Sequence, residues 1–201
     1  MTKVGVLASG RGSNFQSIID AVKSGYLNVS IECLITNNAD AFAIERAKAY
    51  GITSMAILEK DFRTKDDYYR KITTELQTLG VNLVVLAGFM KLVGKALIEA
   101  FPMRIMNIHP ALLPSFKGLH AQRQALKYGV KISGCTVHFV DEGLDTGPII
   151  IQAAVPVLSN DTEDTLSERI LKYEHEIYPR AIKLFADGAL SFEGRVVKIA
   201  E

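Results

Sequence analysis

The chain has 201 residues, 48% of them apolar and 22% charged, with a net charge of +1. That balance supports one sizeable core and argues against a general nucleic-acid or membrane-binding surface. No stretch approaches the roughly 18 apolar residues needed to span a bilayer. VGVLA (4–8) is too short for a signal segment, and Cys33 and Cys135 stand apart with no CxxC pair, as reduced buried thiols of a cytoplasmic protein would.

Apolar runs alternate with longer amphipathic segments. KVGVLA (3–8) reads as a buried strand, and 13–24 as a helix with Phe15, Ile18, Ile19 and Val22 on one face. VSIECLIT (29–36) is a strand, and 41–50 a helix capped by Asp40 or Asn38 and stopped by Gly51. TSMAIL (53–58) is a short strand, 66–79 a helix, VNLVVLA (81–87) an apolar strand, 95–101 a short helix and RIMNI (104–108) a strand. The order predicts one α/β domain over 1–201, a doubly wound and mostly parallel sheet flanked by helices. Beyond residue 130, KISGCTVHFV (131–140) and PIIIQAAVPV (148–157) are joined by so short a loop that an antiparallel hairpin is expected, with Pro156 at an edge or strand end. Residues 162–186 read as a long helix that Pro179 should kink or split, and RVVKI (195–199) as a last strand closing an edge.

Ligands in such sheets bind beyond the carboxyl ends of the parallel strands. SGRGSN (9–14), AGFMK (87–91) and NIHP (107–110) all fall there, after the first, fourth and fifth strands. In SGRGSN, two glycines allow a tight bend and expose backbone N–H groups, and Ser13 and Asn14 add donors at a helix start. That suits a phosphate monoester, although a plain strand-to-helix turn fits equally. No Lys-Ser/Thr follows, and Phe15 stands where a dinucleotide fingerprint has its third glycine.

Asn107 and His109 are two apart, so in an extended segment both side chains point the same way. The pair can hold a carbonyl oxygen as it gains charge and move a proton near neutral pH, or His109 can be a satisfied strand-end histidine. DEGLDTGP (141–148) offers three carboxylates in a glycine-broken loop, either a solvated acidic turn or the source of a partner for His109. Asp145, between Leu144 and a Thr-Gly-Pro turn, is the one most suited to partial burial. His138 lies inside an alternating strand and suits a core role, and His120 and His175 fall on expected helices. No HExxH-like metal spacing and no GxSxG elbow occurs, so a reaction here would be direct transfer.

SGRGSNFQ (9–16), VVLAGFMK (84–91), NIHPALLPSFKGLHAQRQAL (107–126), TVHFVDEGLDTGPII (136–150) and EHEIYP (174–179) occur in the order seen in the phosphoribosylglycinamide formyltransferases, and the whole chain resembles that family. The resemblance implies a single formyltransferase domain over 1–201 that moves a formyl group from 10-formyltetrahydrofolate, a cosubstrate, to the amine of glycinamide ribonucleotide in purine synthesis. It implies no metal, no nucleic-acid or membrane partner, and a cytoplasmic monomer or homodimer.

Roles carry over by position. Asn107 would hold the formyl oxygen, His109 would act as an acid toward the oxyanion, and Asp145 would keep His109 protonated and oriented. Gly12, Ser13 and Asn14 match the segment at the ribonucleotide phosphate, and Glu174 a contact to the same substrate. Leu86, Met90, Lys91, Leu92 and Val93 match the pterin pocket wall, with Asn107 beside it, and Val140, Asp141 and Glu142 its backbone edge. Lys65 replaces the arginine common near the folate, which keeps the charge and loses the bidentate geometry. Formyltetrahydrofolate hydrolases and methionyl-tRNA formyltransferases share the trio, but the former usually carry an extra N-terminal domain and the latter a C-terminal RNA-binding one, with neither expected here. A non-catalytic nucleotide-binding module is the remaining alternative.

Overall fold

The computed structural model describes residues 1–200. The chain forms two compact units, Met1–Asn107 and the residues from Ile108 onward. The first begins with β1 (Thr2–Ala8), α1 (Ser13–Lys23), β2 (Val29–Thr36), α2 (Ala43–Ala49) and β3 (Thr53–Ala56). A 3-10 turn (Glu59–Asp61) leads into α3 (Lys65–Thr78), β4 (Leu83–Leu86), α4 (Lys95–Ala100) and the first part of β5 (Ile105–His109), whose last two residues belong to the second unit. β1 pairs in parallel with β2 on one side and β4 on the other, β2 with β3, and β4 with β5. All four residues of β4 are buried, as a strand covered on both faces requires. The chain reverses its direction of travel across the sheet between β1 and β4, the position where doubly wound sheets open a crevice.

The second unit holds α5 (Ala121–Tyr128), β6 (Ile132–Phe139), β7 (Ile149–Pro156), α6 (Glu163–Ala186), β8 (Leu190–Glu193) and β9 (Val196–Ile199). β6 and β7 are antiparallel, as their short connection demands. The sheet order is β3-β2-β1-β4-β5-β6-β7, which puts Pro156 at the end of an edge strand.

Three expectations are corrected. Pro179 does not split α6, which runs unbroken for 24 residues. Ile177, Tyr178, Ala181 and Ile182 are buried on either side of the proline, and their packing outweighs one missing N–H donor. β9 does not join the main sheet; it pairs with β8 in a separate two-stranded ribbon. The cap of α2 is Phe42 without a side-chain bond, because the helix begins only at Ala43; Asn38 instead accepts from the Asp40 N–H at 3.1 Å in the turn before it.

Cys33 on β2 and Cys135 on β6 are buried free thiols, and burial is the main force pushing each up to about 12. A buried polar cluster in the second unit fixes the chain just after β5. Thr136 donates to the Ala111 carbonyl at 2.7 Å and accepts from the Leu113 N–H at 3.1 Å, and Gln152 donates to the Leu113 carbonyl at 2.9 Å. Thr136→Val keeps the volume and removes both roles, so a loss of about 2–4 kcal/mol in unfolding free energy is expected. Urea unfolding checks it, and a loss under about 0.5 kcal/mol would show that the cluster does not hold the segment.

Candidate active site

The loop between β1 and α1 is shaped by Gly12, whose φ of 67° lies in the left-handed region. A Cβ there would sit 2.9 Å from Ala43 Cβ, so glycine is required by conformation and by space. The Ala43 N–H bonds the Gly10 carbonyl at 3.1 Å. Arg46 braces the same loop, with Nε donating to the Arg11 carbonyl at 2.9 Å and a terminal nitrogen to Gln16 at 2.8 Å. Sequence reasoning missed Arg46, since nothing but its place on the next helix marks it. Ser13 is half-buried and Asn14 buried in the first turn of α1. The N–H groups of that turn face the loop and suit an anion.

Ser9 joins this loop to the one after β4. Its N–H donates to the Gly88 carbonyl at 3.1 Å and its hydroxyl accepts from the Met90 N–H at 2.8 Å. Leu86 and Val93 are buried, whereas Met90 and Leu92 are 65% and 64% exposed on either side of Lys91. Two groups hold this stretch from α3 and the 3-10 turn. The Tyr69 hydroxyl donates to the Leu92 carbonyl at 2.6 Å, and Lys91 pairs with Glu59 at 2.7 Å. Burial pushes the Tyr69 phenol up, so it remains a donor. The hydrogen bond from Lys91, then the charges of Lys91 and Lys65, hold the Glu59 carboxyl below its usual range. Lys65, the exposed first residue of α3, therefore shares an electrostatic neighbour with Lys91. Asn107 is half-buried on β5, paired with Leu86 of β4.

In the second unit His109 ends β5 and is 4% exposed. Its Nε2 lies 2.8 Å from the Phe116 carbonyl and its Nδ1 3.4 Å from Asp145 Oδ2. A carbonyl only accepts, so Nε2 carries a proton. The Gly118 N–H donates to Asp145 Oδ2 at 2.8 Å. The 111–118 segment thus leaves His109 and returns to touch both the imidazole and its carboxylate partner. Asp145 has φ 49°, left-handed for a non-glycine residue. Its loop is knotted by Asp141, whose Oδ1 accepts from the Gly143 N–H at 3.1 Å and the Thr146 hydroxyl at 2.5 Å. Val140 and Asp141 are half-buried beside it and Glu142 is exposed.

His138 is a further member that the sequence reading placed in the core. It is buried, but its Nε2 is 3.7 Å from Asp145 Oδ1, so the carboxylate lies between two imidazoles. Nδ1 lies 2.7 Å from the Phe139 carbonyl and so carries the proton. Burial is the main cause that lowers its pKa, which favours the neutral ring. Strand alternation hid this position, because a buried histidine aimed at a loop looks the same in sequence as a core one. Glu174 is buried on α6, close enough to Cys135 of β6 to help raise its thiol. His120 stands exposed at the start of α5, 3.7 Å from Glu163. Among the described residues no group of three histidine, cysteine or acidic side chains could hold a metal ion, and no helix is long and apolar enough to cross a membrane.

A buried histidine–carboxylate pair at the carboxyl end of a strand places the chain among α/β proteins with an acid–base pair at a sheet edge. The formyl transferase family model matches residues 2–182, and the chain belongs to that family. It is 44% identical over 185 residues to the phosphoribosylglycinamide formyltransferase of Escherichia coli (strain K12), covering 92% of this chain and 87% of that one. Over 200 residues, 98% of its length, it is 48% identical to the trifunctional purine biosynthetic protein adenosine-3 of Drosophila pseudoobscura pseudoobscura, and spans 15% of that longer protein. The crystal structure of glycinamide ribonucleotide transformylase 1 from Symbiobacterium toebii superposes with a TM-score of 0.99 at 49% identity, covering 100% of this chain and 95% of that one.

Proposed function

We propose that the chain transfers a formyl group from 10-formyltetrahydrofolate to the amine of glycinamide ribonucleotide, acting as one formyltransferase domain. The observation that carries this reading is the buried His109–Asp145 pair, with Asn107 two residues earlier on the same strand. Strand alternation turns Asn107 and His109 the same way.

The neutral amine attacks the formyl carbon, and the carbonyl π electrons move to oxygen. The Asn107 carboxamide donates to that oxygen. The Nε2–H of His109 exchanges the Phe116 carbonyl for the same oxygen, and Asp145 holds the imidazolium at Nδ1. Nε2 passes its proton to that oxygen and its freed lone pair takes the proton of the attacking amine; the tetrahedral intermediate then collapses as that proton goes to N10, the C–N10 bond breaks, and the hydroxyl proton returns to Nε2. No covalent bond to the chain is needed, because a neutral amine is already a nucleophile; the chain supplies alignment and charge stabilisation.

Gly12, Ser13 and Asn14 take the ribonucleotide phosphate, supported by the Arg46 brace, and Glu174 takes a second polar contact on the same substrate. Leu86, Met90, Leu92 and Val93 form the apolar wall against the pterin, with the exposed Met90 and Leu92 covered on binding. Val140, Asp141 and Glu142 give its backbone edge, and Lys65 and Lys91 supply cations for the anionic end of the folate. These are small-molecule partners of a cytoplasmic enzyme.

The test is consumption of 10-formyltetrahydrofolate with and without glycinamide ribonucleotide. Turnover that depends on the ribonucleotide is expected. Equal turnover without it would make the chain a hydrolase, and none in either case would leave a binding module.

A further inference from the structure

We infer that the β8–β9 hairpin is a clasp on the loop that carries Asp145, and that Arg195 is a positioning residue for the transfer reaction. The inference rests on the proposed role of Asp145. Arg195 stands in the turn between β8 and β9 and donates from a terminal guanidinium nitrogen to the Thr146 carbonyl at 2.5 Å. That carbonyl belongs to the residue directly after Asp145. The Thr146 hydroxyl is held from the other side by Asp141 at 2.5 Å. Thr146 is therefore gripped at its backbone and its side chain, and little freedom remains for the Asp145–Thr146 peptide.

The grip has a reason. Aspartate is one of the few non-glycine residues that tolerate φ 49°, but the conformation is uncommon and needs its surroundings to hold it. The hairpin supplies a second contact at the base of the same loop. Phe192 of β8 packs on Phe139, the last residue of β6, with ring centroids 5.4 Å apart. The Phe139 N–H bonds the Pro148 carbonyl at 2.8 Å and closes the loop, and Gly147 passes the Phe139 carbonyl so closely that a Cβ there would clash with it. One short ribbon thus braces both the closing pair of the loop and its apex. The family match ends at residue 182, so this ribbon lies outside the matched region. A charged donor on a single carbonyl is a short, strong contact, which suits holding one peptide in place better than bulk stability does.

The experiment compares the parent with Arg195→Ala and Arg195→Lys in steady-state formyl transfer and in amide hydrogen exchange. In Arg195→Ala, kcat is expected to fall about tenfold with KM for both substrates changed less than about twofold, an effect below the 10²-fold that a misplacement of 1 Å can cause. Exchange across 141–147 should speed up while the melting temperature stays near the parent, because Arg195 is exposed. Lysine, which keeps a charged donor, should recover most of the rate. In an Asp145→Ala background, adding Arg195→Ala should cost nothing further, since the clasp acts through Asp145. Parental kcat with unchanged exchange, or an equal fold-loss on top of Asp145→Ala, overturns the proposal. Absence of formyl transfer in the parent would instead defeat the functional reading, and the exchange result would still decide whether the clasp exists.

Discussion

His109→Ala lowers kcat by about 10²–10³-fold, the usual cost of removing one well-placed donor to a developing oxyanion. The imidazole has two tasks in the proposed mechanism, and alanine ends both. Nε2–H, now on the Phe116 carbonyl at 2.8 Å, is the proton offered to the formyl oxygen. The ring is also the proton carrier between the attacking amine and the leaving nitrogen. KM for glycinamide ribonucleotide should move little, because no contact to its phosphate is lost. His109→Asn separates the tasks: an amide donates a hydrogen bond yet carries no mobile proton, so it should recover only part of the rate. Steady-state kinetics with circular dichroism check these outcomes, and a kcat within about threefold of the parent for the alanine variant would remove His109 from the chemistry.

Asp145→Ala lowers kcat by about 10²-fold, and Asp145→Asn remains close to the alanine variant. The pair of substitutions distinguishes charge from shape. Asparagine tolerates the left-handed backbone at least as well as aspartate and can still accept from the Gly118 N–H. It lacks the negative charge that stabilises an imidazolium at His109 Nδ1. Alanine loses the charge, the acceptor and the preference for φ 49° together. Recovery of parental kcat by asparagine would mean that loop geometry, and not the carboxylate charge, supports the rate.

The parallel half of the sheet was legible because its signals are local. VSIECLIT predicted β2 to the residue, and Gly25, Gly51 and Gly80 mark the ends of α1, α2 and α3, each with positive φ. The short 141–147 connection was enough to make β6 and β7 antiparallel. Pro179 misled because propensity describes an isolated helix, whereas burial on both sides of the proline decides the real one. β8 alternates apolar Leu190 and Phe192 with polar residues for only four positions, too short a run to stand out, so its pairing with β9 could not be read. At the site, NIHP showed itself through position at a strand end, while Asp145 needed a resemblance to be joined to His109. Arg46, Tyr69 and Arg195 were invisible for a shared reason. Each acts through a backbone carbonyl distant in sequence, and such a contact leaves no residue pattern.

The two raised thiols have a use of their own. Cys33 belongs to the first compact unit and Cys135 to the second, and both are pushed up to about 12 by burial. A thiol in that state is almost wholly protonated at neutral pH and inert to alkylating reagents, which require the thiolate. Each becomes reactive only when its own strand opens to solvent. The chain therefore carries two intrinsic probes of local opening, one per unit, distinguishable by peptide mapping without any engineered label.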